Sequence, residues 1–483
     1  MARRGLAAAL LLLATAAQAS PWLRPDDRQA RADVELLAAA GLIRAPVSAW
    51  PLPWAAVRPA LRETSAQPPH VVAAIRRLAA RDARENRPLR LTARADATND
   101  AALVRDFGAH ARSDVDTAVG FEANRGRLTL TGTVGSRSDQ RGSGLNVEDS
   151  AAIVDAGGWA LYAGTVDSWW GPGNDRALLL STGARPFPKV GIKRLGSSPI
   201  DVPVLRWLGP WRADIFAGVL TGRRTDFHNP GIIAMRVIVA PARGLEIGLQ
   251  RGLQLCGRSR PCGVGTIGRA LIGLGDADNT GTPNEPGNQL AGYDISYTRL
   301  VGSVAAKVYA EAMAEDEDNV IVDKYSYLAG GTLTGPLGQG GASWRVGFEW
   351  SDTLARKFPF GRRYPGTTYN NGIYTSGFTF RDRALGHSLG GDARLLTLSG
   401  ALTDARDRRL YGSLRLADVN RKAGNPISGS ATPERIRIAT LGAELPIHVG
   451  RWSLEGRIQD NDVDTPGRSP MRGQVEIGWR MAF

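Results

Sequence analysis

The sequence predicts an all-β protein: a transmembrane antiparallel β-barrel of the outer-membrane type, with about 18 strands and a small N-terminal periplasmic helical part. Apolar and polar residues alternate from about Pro88 to the end of the chain, most clearly in segment 473–483. The polar face carries charged residues, which are costly in a packed sandwich core but normal in a wet barrel lumen. With 58 glycines, 12 tryptophans and only 43% hydrophobic residues, the composition suits many short strands that each have one polar face.

The stretch 1–19 has the pattern of a secretory signal peptide. Two arginines precede an apolar core at 6–14, and Ala17-Gln18-Ala19 forms the small-residue cleavage site. Position 20 is a serine and no cysteine lies near the cut, so a lipid-anchored form is not expected. After residue 19 there is no apolar run of about 18 residues, which excludes a helical membrane span.

Residues 20–87 form the predicted periplasmic helical segment. Asp26 and Asp27 can cap a short amphipathic helix that ends near Gly41, and a turn of helix is expected before Pro59. Pro69 opens a second, clearer helix with arginines opposite its apolar face. Such a unit is too small to bury a good core alone, so we expect it to dock on the barrel.

Residues 88–483 form the predicted outer-membrane barrel with its plugging and extracellular loops. Strands are expected at 88–99, 115–124, 126–136, 148–157, 158–167, 176–183, 211–221, 230–240, 244–253, 289–298, 302–312, 324–334, 341–350, 392–402, 408–417, 432–445, 451–459 and 473–483. An even strand number puts the long connectors 254–288 and 351–391 outside the cell and short turns such as 241–243 inside. One long connector, 184–210, falls on the periplasmic side. Either it packs against the protein there, or it contains a pair of strands that the assignment lacks.

The two cysteines, Cys256 and Cys262, are expected to close a small disulfide loop in an oxidising envelope. Without a nearby histidine they do not suggest a zinc site. The stretch 276–281 starts like a calcium loop but has Gly287 where the bidentate glutamate is needed. Segment 315–318 either holds a cation or forms a solvated hairpin tip. We expect no bound metal and no cofactor.

Two outer segments carry the candidates for glycan recognition, which uses flat aromatic rings beside carboxylates, amides and arginines. The first segment offers Trp169, Trp170, Asn174, Asp175 and Arg176, and the second offers Tyr364, Tyr369, Tyr374 and Arg381. A Gly-Pro turn follows the tryptophan pair and presents its rings on kinked backbone. Core packing, an aromatic girdle at the membrane surface and a plug in the lumen are the alternative roles for these residues.

Four separated blocks give the chain a distinctive pattern: SWWGPGNDRALLLSTGARPFP, LRWLGPW, RGLEIGLQRGLQLCG and PGNQLAGYD. In that order they resemble the Wzi family of outer-membrane capsule-assembly proteins, and the resemblance runs from Ser20 to Phe483. It implies an outer-membrane barrel that binds capsular polysaccharide as a lectin and helps hold the capsule on the cell. The terminal Phe483 resembles the C-terminal signal by which the barrel-assembly machinery recognises such proteins for insertion.

The formal charge of +13 comes mainly from arginine, whose planar guanidinium group binds carboxylates and phosphates through two hydrogen bonds at once. We therefore expect an acidic polysaccharide, lipopolysaccharide and outer-membrane lipid as partners. We also expect the protein to be a monomer. No nucleic acid is expected, because no known nucleic-acid motif concentrates the basic residues.

Segment 386–390 fits the Gly-x-Ser-x-Gly motif of serine hydrolases, but a strand follows it instead of a helix, so no enzyme is predicted. A porin-like transport channel is the alternative function, since an unplugged barrel of about 18 strands could conduct.

Overall fold

The structure, a computed structural model, describes residues 20–138, 144–222, 224–272, 287–315, 317–318, 321–322, 324–421, 432–461 and 471–483. The predicted signal peptide 1–19 and the calcium-like stretch 276–281 lie outside the described residues. Within the described ranges, no helix is both long enough and apolar enough to span a membrane.

Eighteen antiparallel strands form a closed barrel, which confirms the fold predicted from the alternating sequence. They are β1 (Leu89–Thr98), β2 (Val115–Arg125), β3 (Leu128–Arg137), β4 (Ala151–Asp155), β5 (Trp159–Gly164), β6 (Lys189–Arg194), β7 (Trp211–Val219), β8 (Gly231–Ala242), β9 (Leu245–Leu255), β10 (Gly287–Val301), β11 (Val304–Glu315), β12 (Lys324–Leu337), β13 (Ala342–Lys357), β14 (Arg394–Thr403), β15 (Arg409–Val419), β16 (Glu434–Ile447), β17 (Gly450–Gln459) and β18 (Arg472–Ala482). β18 pairs with β1 and closes the sheet. Phe483 extends this seam, because its N–H donates to the carbonyl of Leu91 at 2.9 Å.

The two ends of the barrel differ in the length of their connectors. At one end, the short-turn end, two-residue turns such as 126–127 and 302–303 join the strands. At the other, the long-loop end, the connectors include 99–114, 165–188 and 358–393. One connector of the short-turn end, 195–210, is also long and contains a short 3₁₀ helix.

One predicted strand, 176–183, is wrong, and β6 was missed. The leucines of 176–183 are buried on every side within the lumen, so this apolar run has no polar face and does not alternate. β6 does alternate: Lys189 and Lys193 are 5% and 2% exposed in the lumen, while Val190 faces outward at 58% exposure. The sequence does not predict β6 because the strand is only six residues long and directly follows Pro186 and Pro188, so its alternation is short and lies beside a proline-rich connector.

The exterior of the barrel is apolar and its lumen is polar, as the period of two predicts. In β18, Val475 and Ile477 face outward and are 50% and 45% exposed, whereas Glu476 between them is 7% exposed. Glu476 pairs across the lumen face with Arg457 of β17 at 3.2 Å. Charged side chains are therefore stabilised inside by ion pairs.

Three helices precede the barrel: α1 (Arg28–Ala39), α2 (Trp54–Leu61) and α3 (Pro69–Glu85). The carboxylate of Asp27 caps α1 by accepting a 2.8 Å hydrogen bond from the N–H of Ala30. Glu35 of the same helix forms ion pairs with Lys307, at 2.7 Å, and with Arg345 on the lumen face of the strands. Helix α1 thus docks inside the short-turn end. A fourth helix, α4 (Val264–Ile272), follows β9.

Four segments fill the lumen, and we call them together the plug: 28–53, 99–114, 165–188 and 366–393. A short antiparallel pairing places Trp50 opposite Trp169. Phe107 packs edge-on against both indoles, with ring centroids 5.1 and 5.2 Å away. The hydroxyl of Tyr369 donates to the carbonyl of Leu178. All four segments are therefore joined to one another inside the barrel.

Candidate functional site

The first predicted glycan segment lies within the plug and is not open to a ligand from outside. Trp169 and Trp170 are fully buried, Asp175 and Arg176 are buried, and Asn174 is half-buried. The indole N–H of Trp169 donates to the carbonyl of Gly173 at 3.1 Å, and Trp170 packs on Phe216 at 5.4 Å. An open stacking platform at these tryptophans does not fit their burial. Their apolar rings are the core that joins the plug to the wall.

The second predicted segment is divided between the plug and the surface. Tyr369 and Tyr374 are fully buried, Tyr364 is half-buried and Arg381 is exposed. The hydroxyl of Tyr374 donates to the carbonyl of Cys256 at 2.7 Å, and Cys256 and Cys262 form a disulfide. The disulfide loop therefore anchors this segment. Of the nine predicted glycan residues, Arg381 is the one that the structure leaves exposed.

The hydrolase-like motif at 386–390 does not form a nucleophile and base pair. The N–H of Leu389 donates to His387 Nδ1 at 3.2 Å, so the ring proton lies on Nε2, which donates to Ser351 Oγ at 2.8 Å. Burial, reinforced by Arg176, lowers the pKa of His387 to about 3. The ring has no lone pair facing a serine hydroxyl and therefore cannot accept its proton. The Ser388 side chain is itself buried at 3% exposure.

Six arginines gather in the lumen near its long-loop end, and we call them the arginine cluster. They are Arg105, Arg112, Arg137, Arg185, Arg381 and Arg383, and they act on one another electrostatically. The guanidinium groups of Arg105 and Arg112 converge on one stretch of backbone, where they donate to the carbonyls of Gly183 and Ala184 at 3.2 and 2.9 Å. The plug thus holds together cations that lie far apart in the sequence.

Carboxylates are too few to pair with the whole cluster. Arg137 and Arg185 share Glu148 at 2.7 and 2.6 Å, and Arg112 lies 3.5 Å from Asp167. The remaining three members are Arg105, Arg381 and Arg383. In the described parts of the chain, none of these three has a carboxylate within ion-pair distance, and Arg105 and Arg383 donate to backbone carbonyls only. The cluster therefore carries uncompensated positive charge.

Burial and mutual repulsion make the cluster favourable for an anion. Burial lowers the pKa of the Arg105 guanidinium well below its usual range, and Arg383 and Arg112 lower it further. The pKa of Arg383 is lowered in the same way, by burial and by Arg112. Burial raises the pKa of Asp167 to about 7, although Arg112 opposes this. A carboxylate or phosphate brought to Arg105 and Arg383 would offset the repulsion between arginines that helps to lower their pKa values.

A tight turn presents Arg381 at the surface. Thr379–Phe380 pairs with Arg383–Ala384, and the two residues between them, Arg381 and Asp382, have φ of 50° and 63°. Positive φ at both central positions defines the type I′ turn, which arginine rarely occupies. Unfavourable backbone of this kind is found most often at functional sites. The turn holds one guanidinium exposed above the buried members of the cluster.

A small cavity lies below the cluster. Its volume is about 80 Å³, and Arg105, Arg112, Asp167 and Thr182 line it. A space of this size holds several water molecules, but it is too small to enclose a sugar ring. The accessible part of the cluster is therefore its open side, where Arg381 and Arg383 lie.

Sequence reasoning found Arg381 but missed the other five members of the cluster. They come from three long connectors and from the end of β3, so no local motif joins them. The signal that was available was global: 60 lysines and arginines against 47 carboxylates. Net charge predicts that some cations lack partners, but only the folded plug determines which ones.

An apolar exterior, a polar lumen and a plug define the class of protein: a plugged β-barrel of the outer-membrane type. A family model described as capsule assembly protein Wzi matches residues 84–471, and the chain belongs to this family. A relative described as an uncharacterised 55.8 kDa protein in the cps region of Klebsiella pneumoniae is 28% identical over 419 residues, covering 85% of this chain and 80% of that protein.

The fold is also similar to that of a solved structure from Escherichia coli. That protein is described as Wzi, an outer-membrane protein involved in group 1 capsule assembly and a carbohydrate-binding β-barrel. The similarity has a TM-score of 0.79 and covers 97% of this chain and 100% of the other, at 22% sequence identity. At this identity the comparison shows a shared fold.

Proposed function

We propose that the protein is an outer-membrane lectin that binds an acidic capsular or related polysaccharide and helps to assemble and anchor it at the cell surface. The observation that carries the proposal is the arginine cluster, with three guanidinium groups that have no carboxylate partner among the residues that the structure describes. Uronate carboxylates match the guanidinium fork in shape and charge. Membership of a capsule-assembly family supports a polysaccharide as the ligand.

In this proposal the barrel crosses the outer membrane and the long-loop end faces outward. The helices α2 and α3 lie at the periplasmic end, and α1 enters the lumen from that side. Aromatic pairs near both ends of the exterior support it, because aromatic rings are enriched at membrane interfaces. Trp452 and Trp479 lie 6.4 Å apart near the short-turn end, and Tyr293 and Tyr325 lie 5.9 Å apart near the long-loop end. The arginine cluster then faces the medium that contains the capsule.

The test measures retention of capsule polysaccharide by the folded, detergent-solubilised protein. The double variant Arg381→Gln/Arg383→Gln removes two charges from the open side of the cluster. We expect its apparent affinity for the isolated polysaccharide to fall by about tenfold or more, because two charge-assisted contacts are lost. The affinity of the unmodified protein should fall steeply with added salt.

The matched control is Arg125→Gln/Arg127→Gln, which removes two exposed arginines from a turn at the short-turn end. We expect this control to bind like the parent protein. Polysaccharide whose uronate carboxyls have been reduced to alcohols should bind weakly to all three proteins. Equal retention by the cluster variant, or equal binding of the reduced polymer, would contradict the role assigned to the cluster.

A further inference from the structure

A second cationic surface lies on the outside of the barrel, away from the arginine cluster. β13 ends at Lys357, and the chain turns back at once: the N–H of Gly361 donates to the carbonyl of Lys357 at 2.8 Å. The N–H of Tyr364 donates to the carbonyl of Ala355 at 2.8 Å and completes the return. The tip of this turn carries Phe358 and Phe360, which are 58% and 69% exposed.

The two phenylalanines pack on the exterior wall and not on the plug. Phe358 lies 5.6 Å from Tyr325, and Phe360 lies 5.5 Å from Tyr327. Tyr325 in turn lies 5.9 Å from Tyr293. We call these five rings the rim patch.

The sheet register shows that the rim patch is on the side of the wall that faces lipid. Tyr293 precedes Asp294, which points into the lumen and pairs with Arg236 at 2.7 Å. Ala312 lies opposite both Tyr293 and Tyr327 in the sheet, and it is only 6% exposed because the rings cover it. Exposed aromatic rings at the end of a membrane barrel mark the level of the lipid head groups.

Basic residues border the rim patch at this level. Segment 353–366 contains four lysines and arginines, and one of them, Arg356, pairs with Asp352 at 3.1 Å. Lys324 and Arg362 both lie over the ring of Tyr364, at 5.3 and 5.6 Å. Arg362 and Arg363 are exposed, and within the described ranges neither has a carboxylate at ion-pair distance. The guanidinium groups of Arg362 and Arg363 can therefore take an external anion as their partner.

We infer that the rim patch and its bordering cations bind the phosphorylated head group of lipid A, the acylated glucosamine disaccharide that anchors lipopolysaccharide in the outer leaflet. The guanidinium groups of Arg362 and Arg363 contact the phosphates, and the exposed rings contact the sugar faces and the upper acyl chains. The inference rests on the proposed position in the outer membrane. It adds a lipid site that is separate from the polysaccharide site.

The experiment titrates the folded full chain in detergent with lipids and counts bound adducts by native mass spectrometry. The probes are bisphosphorylated lipid A, the same lipid A with both phosphates removed, and phosphatidylglycerol. For the parent protein we expect lipid A to bind at least about tenfold more tightly than either of the other lipids, because only lipid A supplies phosphates on a sugar.

Arg362→Gln/Arg363→Gln should weaken lipid A binding by about tenfold or more, whereas Arg125→Gln/Arg127→Gln should leave it unchanged. Arg362→Lys/Arg363→Lys keeps the charge but loses the planar fork, so an intermediate loss is expected. Equal binding of dephosphorylated lipid A, equal binding of phosphatidylglycerol, or undiminished binding by the glutamine variant would each overturn the inference.

A capsule-retention assay distinguishes failure of the lipid A site from failure of the proposed polysaccharide-binding function. The glutamine variant of the rim cations should retain polysaccharide like the parent protein, because the arginine cluster is intact. Loss of polysaccharide by this variant with unchanged lipid A binding would assign the rim cations to the polysaccharide and overturn the lipid site.

Discussion

Asp175 connects the plug to the barrel wall through a buried ion pair. Its carboxylate accepts hydrogen bonds from Arg415 and from the hydroxyl of Thr397, both at 2.7 Å. Burial alone raises its pKa, but Arg176 and Arg415 reverse this and lower the pKa of Asp175 to about 2. The carboxylate therefore stays charged, and its stabilisation is present above its unfolded pKa of about 3.9 and lost as the pH falls towards 2.

Asp175→Asn should lower the free energy of unfolding by about 3 kcal/mol, because buried Arg176 loses its carboxylate and buried Arg415 keeps only Asp106. Urea unfolding followed by tryptophan fluorescence measures the change. The control Asp201→Asn breaks an exposed ion pair with Arg206, in which the Asp201 side chain is 87% exposed. This control should lower the free energy of unfolding by less than about 1 kcal/mol. Equal losses in the two variants would show that the buried pair does not hold the plug.

The residues of the candidate site could be predicted from the sequence in kind but not in exposure. Trp169 and Arg381 have the chemistry of a glycan site, yet one is fully buried and the other is exposed. Their difference arises from long-range pairing: Trp169 lies opposite Trp50, which is more than a hundred residues earlier in the chain. No local pattern contains that information.

Strands were the elements that the sequence predicted best, because each needs only its own period of two. β17 and β18 alternate cleanly, and the structure has both close to the predicted bounds. β6 is not predicted because it has only six residues and follows Pro186 and Pro188. The prediction of a strand at 176–183 is wrong because its leucines enter the plug and not the wall. A plug segment buries all its faces, so an apolar run there imitates a strand.

Glu35 joins helix α1 to the barrel wall, where Gln29 of the same helix also accepts hydrogen bonds from Thr403 and Arg409. Glu35 accepts hydrogen bonds from Arg31, Lys307 and Arg345. Although burial opposes it, Lys307 and then Arg345 hold the pKa of Glu35 well below its usual range. The ion pairs between Glu35 of α1 and Lys307 and Arg345 of the wall therefore stabilise the charged side chains on both sides.

Glu35→Gln should release α1 from the wall, because three cations lose their shared partner. If cleavage proceeds through local opening, a loss of about 3 kcal/mol corresponds to roughly a hundredfold faster trypsin cleavage within 20–87. Glu63→Gln is the matched control, since Glu63 is exposed between α2 and α3 and should leave the rate unchanged. Unchanged cleavage in Glu35→Gln would mean that apolar packing and the other polar contacts of α1, such as those of Gln29, hold the helix without Glu35.

Across the whole molecule, ion pairs and aromatic packing fill the lumen of the barrel. The four segments of the plug pack against a barrel wall whose lumen face carries buried ion pairs, such as Arg236 with Asp294 at 2.7 Å. The even strand number followed from the sequence, but whether the lumen was filled or open did not. Filling depends on which connectors turn inward, and that is set by contacts such as those of Phe107 with Trp50 and Trp169.

Planar-bilayer conductance tests this distinction. β5 and β6 are neighbours, with Gly164 opposite Lys189, so a four-residue Gly/Ser turn can replace 165–188 without breaking the barrel. The parent protein should show no large steady conductance, whereas the replacement should open channels, because it removes the segment that carries Trp169 and Asp175. Replacing 201–207, which lies outside the lumen, controls for a shortened connector and should stay closed. Channels of equal size in the parent protein would favour the porin over the lectin, since a plug that passes ions freely leaves the lumen available for transport.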